Sequence, residues 1–376
     1  MHCFNSNFDF DCSEFTHGSE GYLVKKNGAR VFDTWLGAGT LLLGHTNEKK
    51  TISMTPMSKS LSDDAKNLIK KLVDYEVGGV GLQTSGSSAV TRACRVARTY
   101  NNRKKIALIG NYWHGSDDNF LYTQDGTALS EGLSANYGEH YEAFASTEEF
   151  LNDDNIERFS ALLIEPHQGS EPSTNQLSIL EEKEMRERMR EKEILLICDE
   201  IITGFRECYG ACKSSRKVDP DMTIFGKAIS GGYPFGIVIA NKEVTDVVKE
   251  RKLFWGGTFS ANNSQFTSLQ EQLNKLRKLD YNMVRNNFED LVRFLRNSAI
   301  FQEQELRIST GCNFGRILGS PEIKTSKITA RGFIQGNLID SSVDKLMKYL
   351  PIYIARNKLI FPSIHNIHSF VQGVIN

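Results

Sequence analysis

Several features that define large protein classes are missing from this sequence of 376 residues. No apolar run approaches the roughly 18 to 20 residues that span a bilayer, and residues 1–15 lack the basic and then apolar order of a secretory signal. The 45 Lys and Arg are balanced by 46 Asp and Glu, so the basic excess of a nucleic-acid-binding protein is missing. The seven cysteines include no pair with C-x-x-C spacing. We therefore expect a globular cytoplasmic protein with reduced thiols and without a membrane or nucleic-acid partner.

Short apolar runs separated by amphipathic stretches occupy the middle of the chain. They are KIALIG (105–110), SALLIEP (160–166), EILLICDE (193–200), MTIFG (222–226) and FGIVIA (235–240). Buried parallel strands have this pattern, and their alternation with helices predicts an α/β sheet. Asn27-Gly28 lies between two alternating runs and predicts a β-hairpin. Residues 65–76 and the charged stretch from about 266 have helical spacing.

This organisation predicts a large central α/β domain and a small domain built from both ends of the chain. We place the N-terminal segment of the small domain at residues 1–60 and the large domain at 61–265. The C-terminal part of the small domain, with mixed α and β structure, is placed at 266–376.

Residues 82–89, LQTSGSSA, lead into a run that is compatible with a helix. A Ser/Gly turn at a helix start leaves backbone N–H groups free and directs the positive end of the helix dipole outward, which suits an anion. The same residues would also serve as an ordinary N-cap without a ligand. On its own, this segment leaves both interpretations open.

An acidic pair, Asp199-Glu200, ends one of the apolar runs. An acid at the carboxyl edge of an α/β sheet suits two kinds of site, a Mg²⁺-nucleotide site or an acid that pairs with a pyridinium nitrogen. A P-loop nucleotide site requires the motif G-x-x-x-x-G-K-[ST]. The sequence lacks it, since Gly226-Lys227 is followed by Ala228, so we reject the nucleotide interpretation. A residue that only caps the next segment stays possible for Glu200.

Lys227 follows Asp199 by 28 residues, at the end of a further apolar run. An apolar pocket lowers the pKa of a lysine, and a neutral amine is the form that condenses with an aldehyde. Most lysines lie on the surface, but the runs that flank this one have the composition of buried segments.

The sequence resembles the class III aminotransferases that depend on pyridoxal 5′-phosphate, and among them the glutamate-1-semialdehyde 2,1-aminomutases. DEIITGFR followed at this spacing by GKAISGG is specific to the family. Further matching segments are GYLVKKNGARVFDTWLGAGTLLLGH, TSGSSA, KIALIGNYWHG, ALLIEPHQG and GTFSANN. The resemblance implies fold type I, the aspartate-aminotransferase type, with a mainly parallel seven-stranded sheet.

The resemblance also implies roles for the residues at matching positions. Lys227 matches the lysine that forms a Schiff base with pyridoxal phosphate and moves the substrate proton. Asp199 matches the acid that bonds the pyridine nitrogen, so these two residues are the expected catalytic pair. Gly86 and Ser87 match the phosphate-binding pair, with Ser85 beside them.

The remaining expected cofactor contacts come from other segments of the chain. Trp113 takes the place of the aromatic residue that stacks on the ring, next to His114, and Ile201 packs on the opposite ring face. Glu165 matches an acid near the O3′ side of the ring. Gly257 and Thr258 match the pair that reaches the phosphate of the neighbouring subunit's cofactor, which implies a homodimer.

The function that the resemblance implies is ping-pong transamination between a small-molecule amino donor and a carbonyl acceptor, with no metal. Three alternatives stay open. An aminomutase would move the amino group within one molecule, and a decarboxylase or racemase would need no acceptor. A non-catalytic relative would use the fold for binding only.

Several positions depart from the family pattern. Ser88 stands in place of a usual Glu, Trp113 in place of a Tyr, and Gly37-Ala38 in place of the Ser-Trp pair of aminomutases. The smaller Gly37-Ala38 pair suggests a bulkier substrate. Further departures and candidates are Ala261 and Asn263 for Gly and Pro, a gating stretch at 124–140, and Arg206, Arg316, Arg331 and Arg356 for a substrate carboxylate.

Overall fold

The computed structural model describes residues 15–19, 21–33, 36–46, 61–110, 113–134, 138–167, 179–297, 307–311, 314–318, 352–353 and 358–359. Contacts divide the chain into two compact units, one that combines Met1–Lys49 with Asn282–Asn376 and one that spans Lys50–Tyr281. These divisions differ from the boundaries expected near residues 60 and 265, and the assignment of domains stays a prediction. Among the described helices, none has both the length and the apolar character needed to cross a membrane.

The described residues form strands and helices that alternate through the larger unit. The strands are β1 (Phe15–Ser19), β2 (Tyr22–Lys25), β3 (Arg30–Asp33), β4 (Val77–Gln83), β5 (Lys105–Ile109), β6 (Tyr141–Phe144), β7 (Phe159–Ile164), β8 (Leu195–Asp199), β9 (Met222–Phe225), β10 (Gly236–Asn241), β11 (Arg307–Gly311), β12 (Phe314–Leu318), β13 (Ile352–Tyr353) and β14 (Lys358–Leu359). The helices are α1 (Leu36–Gly39), α2 (Asp63–Ile69), α3 (Gly86–Asn101), α4 (Thr147–Leu151), α5 (Ile179–Glu191), α6 (Lys213–Val218), α7 (Lys242–Lys249), α8 (Asn263–Leu276) and α9 (Tyr281–Arg296). The five strands that the apolar runs predict are all present.

A seven-stranded, mainly parallel sheet forms the centre of the larger unit, which confirms the predicted architecture. Its strand order is β4-β10-β9-β8-β7-β5-β6. The strands from β9 to β6 are parallel to their neighbours, whereas β10 is antiparallel to both β9 and β4. β4 therefore runs in the same direction as β9, and the carboxyl ends of all strands except β10 lie at one edge of the sheet.

Both faces of this sheet are buried. Side chains alternate across a strand, so in β7 Ala161 and Leu163 join the apolar cluster that includes α3, whereas Leu162 and Ile164 join the cluster that includes Met185 of α5. Parallel strands that helices cover on both faces are apolar almost throughout, as the five runs are. The result is the α/β architecture expected from the sequence.

Strands β1, β2, β3 and β13 form a four-stranded sheet in the smaller unit, and β11, β12 and β14 form a three-stranded sheet. The hairpin predicted at Asn27-Gly28 is confirmed, because β2 and β3 are antiparallel and Gly28 has a positive φ of 83°. Gly37 and Ala38 both have φ of 59°, so α1 is a left-handed turn and not a regular helix.

The helix expected over residues 65–76 is shorter than predicted, since α2 ends at Ile69. The apolar side chains that suggested a longer helix, Leu72 and Val73, are buried all the same. The carbonyl of Leu72 accepts hydrogen bonds from the backbone N–H of Ala211 at 2.8 Å and from Arg216 Nη2 at 3.1 Å. A distant segment therefore satisfies the backbone here, and no helical continuation is needed.

Candidate active site at the sheet edge

The residues expected to form the site leave the sheet at a single edge. β7, β8 and β9 are adjacent parallel strands, and they end directly before Glu165, at Asp199 and two residues before Lys227. β4 ends at Gln83, where it pairs with the first residue of β10. Ligands of α/β proteins bind outside the carboxyl ends of the strands, so the topology brings the predicted residues to the position where such a site forms.

The predicted phosphate-binding segment forms the start of α3, a helix of 16 residues. Ser85 is its N-cap, and the Ser85 hydroxyl accepts a hydrogen bond from Ser88 N at 3.1 Å. Ser88 Oγ in turn accepts one from Ser85 N at 3.0 Å, which completes a reciprocal capping box. The N–H groups of Gly86 and Ser87 belong to the first turn of the helix, where backbone N–H groups have no carbonyl acceptor within the helix. Ser88 therefore performs the capping role that a Glu at this position has in such a box.

Ile201 lies between the start of α3 and the segment that carries Lys227. A Cβ atom on Gly86 would lie 2.9 Å from Ile201 Cδ1, and one on Gly226 would lie 3.2 Å from Ile201 Cγ2. A Cβ atom on Gly236 would lie 2.8 Å from the carbonyl oxygen at the N-cap of α3. Gly236 requires glycine because an added Cβ would meet backbone there, and the glycines at 86 and 226 allow their segments to approach Ile201 closely. The start of α3, the residue after Asp199-Glu200 and the residue before Lys227 thus form one compact cluster.

Asp199 is buried and is held by hydrogen bonds at both carboxylate oxygens. Its Oδ2 lies 2.8 Å from Nδ1 of His114, and its Oδ1 accepts a hydrogen bond from the backbone N–H of Ile201 at 3.0 Å. Asp199 is 2% exposed and His114 is 1% exposed. A buried carboxylate needs such partners to offset its desolvation, so His114 fixes the position of Asp199.

Lys227 begins a short 3₁₀ turn directly after β9 and is half-buried. Its φ is 43°, in the left-handed region that a residue with a Cβ adopts at a cost of about 1 to 2 kcal/mol. The backbone N–H and the hydroxyl of Ser230 both donate to the carbonyl oxygen of Lys227, at 2.9 and 2.7 Å, and hold this conformation. Phe225, Ala228 and Ile229 around it are fully buried. Lys227 therefore lies among buried apolar residues at the edge of the sheet, beside the strand that carries Asp199.

The loop after β5 packs against the phosphate-binding segment. Gly115 has a φ of 110°, and a Cβ atom there would lie 2.6 Å from Ser87 Oγ. The backbone N–H of Ser116 donates to the same hydroxyl at 3.2 Å. Trp113 in this loop is 45% exposed. The loop thus brings the buried His114 to Asp199, and the stacking role of Trp113 stays a prediction.

The other expected cofactor contacts have different surroundings. Glu165 follows Ile164, which pairs with Cys198 in β8, so Glu165 is half-buried at the strand end next to Asp199. Gly257 and Thr258 are exposed. Their predicted contact with a neighbouring subunit's cofactor needs a second chain, and it stays a prediction.

Gln83 is a buried residue of this region that sequence reasoning missed. It is 2% exposed, at the end of β4. Its Nε2 donates to the carbonyl oxygen of Trp255 at 3.4 Å, and its Oε1 accepts from Arg92 Nε and from Ser260 Oγ, both at 3.4 Å. Gln83 thus joins the strand before the phosphate-binding segment to the chain around Gly257 and Thr258. No local pattern marks it, because its partners lie far away in the sequence.

Glu200 points away from the cluster and holds the following segment. Its Oε1 accepts a hydrogen bond from the backbone N–H of Cys212 at 3.2 Å, and its Oε2 accepts one from the Thr203 hydroxyl at 2.5 Å. Burial raises the pKa of the Glu200 carboxyl above its usual range. This arrangement agrees with the capping interpretation of Glu200.

The four arginines predicted as candidates for binding a substrate carboxylate differ in their surroundings and in how far the structure describes them. Arg206 is fully buried, and its Nε donates to the carbonyl oxygen of Ile202 at 2.7 Å, as a structural residue would. Arg316 belongs to β12, and only its backbone is described. Arg331 and Arg356 lie outside the described residues, as do residues 135–137 of the predicted gating stretch.

Comparison with known proteins identifies the relatives of this chain. The family profile described as Aminotransferase class-III matches residues 10–371. A glutamate-1-semialdehyde 2,1-aminomutase of Sulfolobus acidocaldarius is 30% identical over 301 residues, which are 74% of this chain and 70% of the relative. One of Sulfurisphaera tokodaii is 31% identical over 277 residues, 66% of this chain and 63% of the relative.

Solved structures show the same fold at lower identity. A transaminase with PLP bound has a TM-score of 0.76 at 18% identity and covers 96% of this chain and 88% of its own. An omega-transaminase from Sphaerobacter thermophilus has a TM-score of 0.75 at 20% identity, and the match covers 96% of this chain and 89% of the transaminase. An ornithine aminotransferase from Toxoplasma gondii has a TM-score of 0.74 at 19% identity, and the match covers 99% of this chain and 90% of the aminotransferase. These likenesses confirm the expected fold.

Proposed function

We propose, since this chain belongs to the class III aminotransferase family, that it is a pyridoxal-phosphate-dependent enzyme that transfers an amino group between an amino donor and a carbonyl acceptor. The observation that carries the proposal is the cluster at the sheet edge. There the start of α3, the buried Asp199 and Gly226, directly before Lys227, lie around one residue, Ile201.

The residues of this cluster fit pyridoxal phosphate in each part of the molecule. The phosphate would bind the first turn of α3 through the N–H groups of Gly86 and Ser87, with the Ser85 cap beside them. Asp199 offers a buried, fixed carboxylate to the protonated pyridine nitrogen. Lys227 offers the amine that holds the aldehyde carbon. When bound, the cofactor supplies an electron sink for the bonds at the substrate Cα.

The side chains of this chain supply the remaining steps. With the cofactor bound, the Lys227 amine would take the proton from the substrate Cα as a general base and deliver it to C4′ of the cofactor as a general acid. Asp199 keeps the proton on the ring nitrogen, and His114 keeps Asp199 in place through the bond at 2.8 Å. The same site serves the amino donor first and the carbonyl acceptor second, which gives ping-pong kinetics.

The remaining contacts in this proposal come from Trp113 and Ile201 on the two ring faces and from Glu165 near the ring's O3′ side. Gly257 and Thr258 would reach the phosphate in the site of a second subunit, so the proposed enzyme is a homodimer. Its small-molecule substrates and a cytoplasmic location complete the proposal.

The test is a spectroscopic and chemical one on the purified full chain with pyridoxal phosphate. We expect a yellow protein whose colour is lost on borohydride reduction, and mass mapping that places the reduced cofactor on Lys227. Lys227→Ala should lose this covalent product, whereas Lys252→Ala, at an exposed lysine, should keep it. Attachment to another lysine, or wild-type protein that does not bind the cofactor, would overturn the proposal.

A second candidate is an aminomutase, which is favoured by the names of the relatives at 30% identity. Such an enzyme moves the amino group within one molecule. The departure from the aminomutase pattern at Gly37-Ala38, where aminomutases have Ser-Trp, favours the aminotransferase over the aminomutase. Release of a keto acid from an amino donor in the absence of a semialdehyde would identify the aminotransferase, and its absence with turnover of the semialdehyde would identify the aminomutase.

A further inference from the structure

Three potential metal ligands converge beside the proposed active site. They are His167, three residues beyond the end of β7, Glu207 in the segment that follows Asp199-Glu200, and Cys212, the N-cap residue of α6. One donor atom from each of the three lies within 4.8 Å of the other two. None of them belongs to the cluster proposed to hold pyridoxal phosphate.

Hydrogen bonds orient two of these ligands toward each other. Glu207 Oε2 accepts a hydrogen bond from the backbone N–H of Lys213 at 3.2 Å, and Glu207 Oε1 lies 4.0 Å from His167 Nε2. The Ser214 hydroxyl lies 3.1 Å from the same imidazole nitrogen. The His167 and Glu207 side chains are 10% and 22% exposed, so the pair is partly open to solvent, and an ion could enter from outside.

Cys212 completes the set from the buried side. It is 1% exposed, and its Sγ lies 3.1 Å from Oε1 of the fully buried Glu200. The Cys212 thiol donates to this carboxylate oxygen, and the hydrogen bond holds the sulfur in place. An imidazole nitrogen, a carboxylate oxygen and a sulfur are therefore directed into one small volume.

We propose that His167, Glu207 and Cys212 bind one divalent ion of the zinc type, which fastens the segment after Asp199 to the end of β7. Zinc accepts sulfur, nitrogen and oxygen ligands together, at about 2.0 to 2.3 Å. Magnesium and calcium require oxygen ligands and would not use the thiol. The three donors lie within 4.8 Å of one another, so they would have to move closer together to hold the ion, and a water or the Ser214 hydroxyl would supply a fourth ligand. Binding displaces the thiol proton of Cys212, which passes to the Glu200 carboxylate that already accepts it, so the thiolate does not face a second negative charge.

The first experiment measures zinc binding to the purified enzyme, loaded with pyridoxal phosphate, in competition with a chromophoric chelator. We expect one zinc per chain in the wild type and at least about a tenfold loss of affinity in Cys212→Ser, His167→Gln and Glu207→Gln. The matched controls are Cys208→Ser, at a neighbouring cysteine whose Sγ donates to the Ala211 carbonyl, and His140→Gln, at a half-exposed histidine. Both should keep the wild-type affinity.

The second experiment identifies the ligand atoms directly, in the wild type and in Cys208→Ser. ¹¹³Cd NMR of the cadmium-loaded enzyme should show one resonance shifted as a thiolate ligand requires, and Cys208→Ser should leave it in place. Zinc should also raise the Tm of the wild type, because an ion that binds only the folded state stabilises it.

Three results would overturn the metal site. They are a wild type that does not compete with the chelator, a cadmium resonance without sulfur ligation, and an equal loss of affinity in Cys208→Ser and Cys212→Ser. A Cys212→Ser protein that keeps its cofactor spectrum and its Tm without metal is folded, so its loss of zinc reports the site itself.

Discussion

At the scale of single residues, the contact between His114 and Asp199 is central to the proposed chemistry. Both side chains are almost fully buried, and the imidazole holds the carboxylate oxygen that the backbone of Ile201 does not. A carboxylate that turns away from the ring nitrogen would no longer keep that nitrogen protonated. His114 is therefore a positioning residue that acts on the substrate only through Asp199.

His114→Phe keeps a ring of similar size but removes the partner of Asp199 Oδ2. The unpaired buried carboxylate should lower the free energy of unfolding by about 1 to 3 kcal/mol. If a misplaced Asp199 carboxylate also raises the activation free energy by about 1.4 to 2.8 kcal/mol, the reaction slows by about one to two factors of ten. We therefore expect kcat to fall about 10- to 100-fold, with little change in KM for the amino donor and with a shifted cofactor absorption spectrum. Steady-state kinetics and titration of the spectrum with pH measure both effects.

The matched control is His140→Phe, at a half-exposed histidine whose Nε2 lies 3.6 Å from Glu139 Oε1. It should have wild-type kinetics. If His114→Phe turns over like the wild type and has the same spectrum, the histidine does not position Asp199.

At the scale of elements, the start of α3 depends on the reciprocal bonds between Ser85 and Ser88. Ser88→Ala removes one of the two and should lower the free energy of unfolding by about 1 kcal/mol. Ser88→Glu should retain stability, because a Glu at this position closes the same box with a longer side chain. Urea unfolding of both variants measures the difference.

The comparison for this helix start is Ser130→Ala, at an exposed serine whose hydroxyl donates to the neighbouring Glu131 carbonyl. We expect it to unfold at the wild-type urea concentration. Equal stability of Ser88→Ala and Ser130→Ala would show that the box contributes nothing to α3.

A charge network fastens β6 to the connection between α4 and β7. Arg158 Nη2 lies 2.6 Å from Glu142 Oε1 and 2.8 Å from Asp153 Oδ2, and Lys105 lies 3.0 Å from Glu142 Oε2. The hydrogen bonds from Arg158 lower the pKa of Asp153. For Glu142, burial raises the pKa, but the hydrogen bonds and charges of Arg158 and Lys105 outweigh it and leave a lowered pKa. Both acids are therefore more acidic in the folded chain than in the unfolded one.

Arg158→Met should destabilise the protein at neutral pH by about 1 kcal/mol, a modest value because the network is partly exposed. A carboxyl with a lowered folded pKa stabilises the fold above its unfolded value of about 4, and this contribution is lost as the pH falls through the folded pKa. The difference between wild type and variant should therefore shrink from pH 7 to about pH 3, as measured by urea unfolding. For comparison, Lys66→Met breaks an exposed pair with Asp63 and should change stability little. A difference that is constant with pH would contradict the electrostatic account.

The elements that local patterns predict differ from those that only distant contacts explain. The buried runs that end at Asp199 and before Lys227 were predicted as strands, because parallel strands need apolar side chains on both faces. β4 was not predicted, since its sequence VGGVGLQ is rich in glycine. A Cβ atom on Gly81 would lie 1.7 Å from the Trp255 ring, so the glycine makes room for a residue far along the chain. β6 is a four-residue edge strand, too short for its pattern to stand out.

The candidate site also contains residues that local patterns predict and residues that only distant contacts explain. Asp199 and Lys227 could be selected from the sequence, because strand-end motifs and the family resemblance mark them. Gln83 and the pairing of His114 with Asp199 could not, since these contacts join segments that only the folded sheet brings together. The capping role of Ser88 also needed the structure, because a serine replaces the usual Glu.

At the scale of the whole molecule, the surface around Thr258 is unusually apolar. Phe254 is 70% exposed and Phe259 is 59% exposed, and the two flank Gly257-Thr258 in the sequence. Exposed large apolar side chains that occur together mark surfaces for association. These residues therefore support the proposal that Thr258 completes the site of a second copy of the chain.

Mixing two inactive variants tests whether the sites are shared. Lys227→Ala lacks the cofactor amine, and Thr258→Ala lacks the proposed contact with the partner's phosphate. In a symmetric dimer of one chain of each kind, one site has neither group, and the other has both wild-type residues. Unfolding and refolding an equal mixture should therefore restore about a quarter of the wild-type sites, since half of the dimers are mixed and each has one complete site.

The activity of the mixture separates the two arrangements of Thr258. If Thr258 served the site of its own chain, each mixed dimer would hold one site without the lysine and one without the threonine, so activity would stay at the average of the two variants. Lys227→Ala refolded with Lys252→Ala is the reference, because each mixed dimer then has one intact lysine whichever subunit supplies Thr258. Activity of the Lys227→Ala and Thr258→Ala mixture above the average of the two separate variants requires a site built from two chains. Such a result would establish the homodimer and the shared site together.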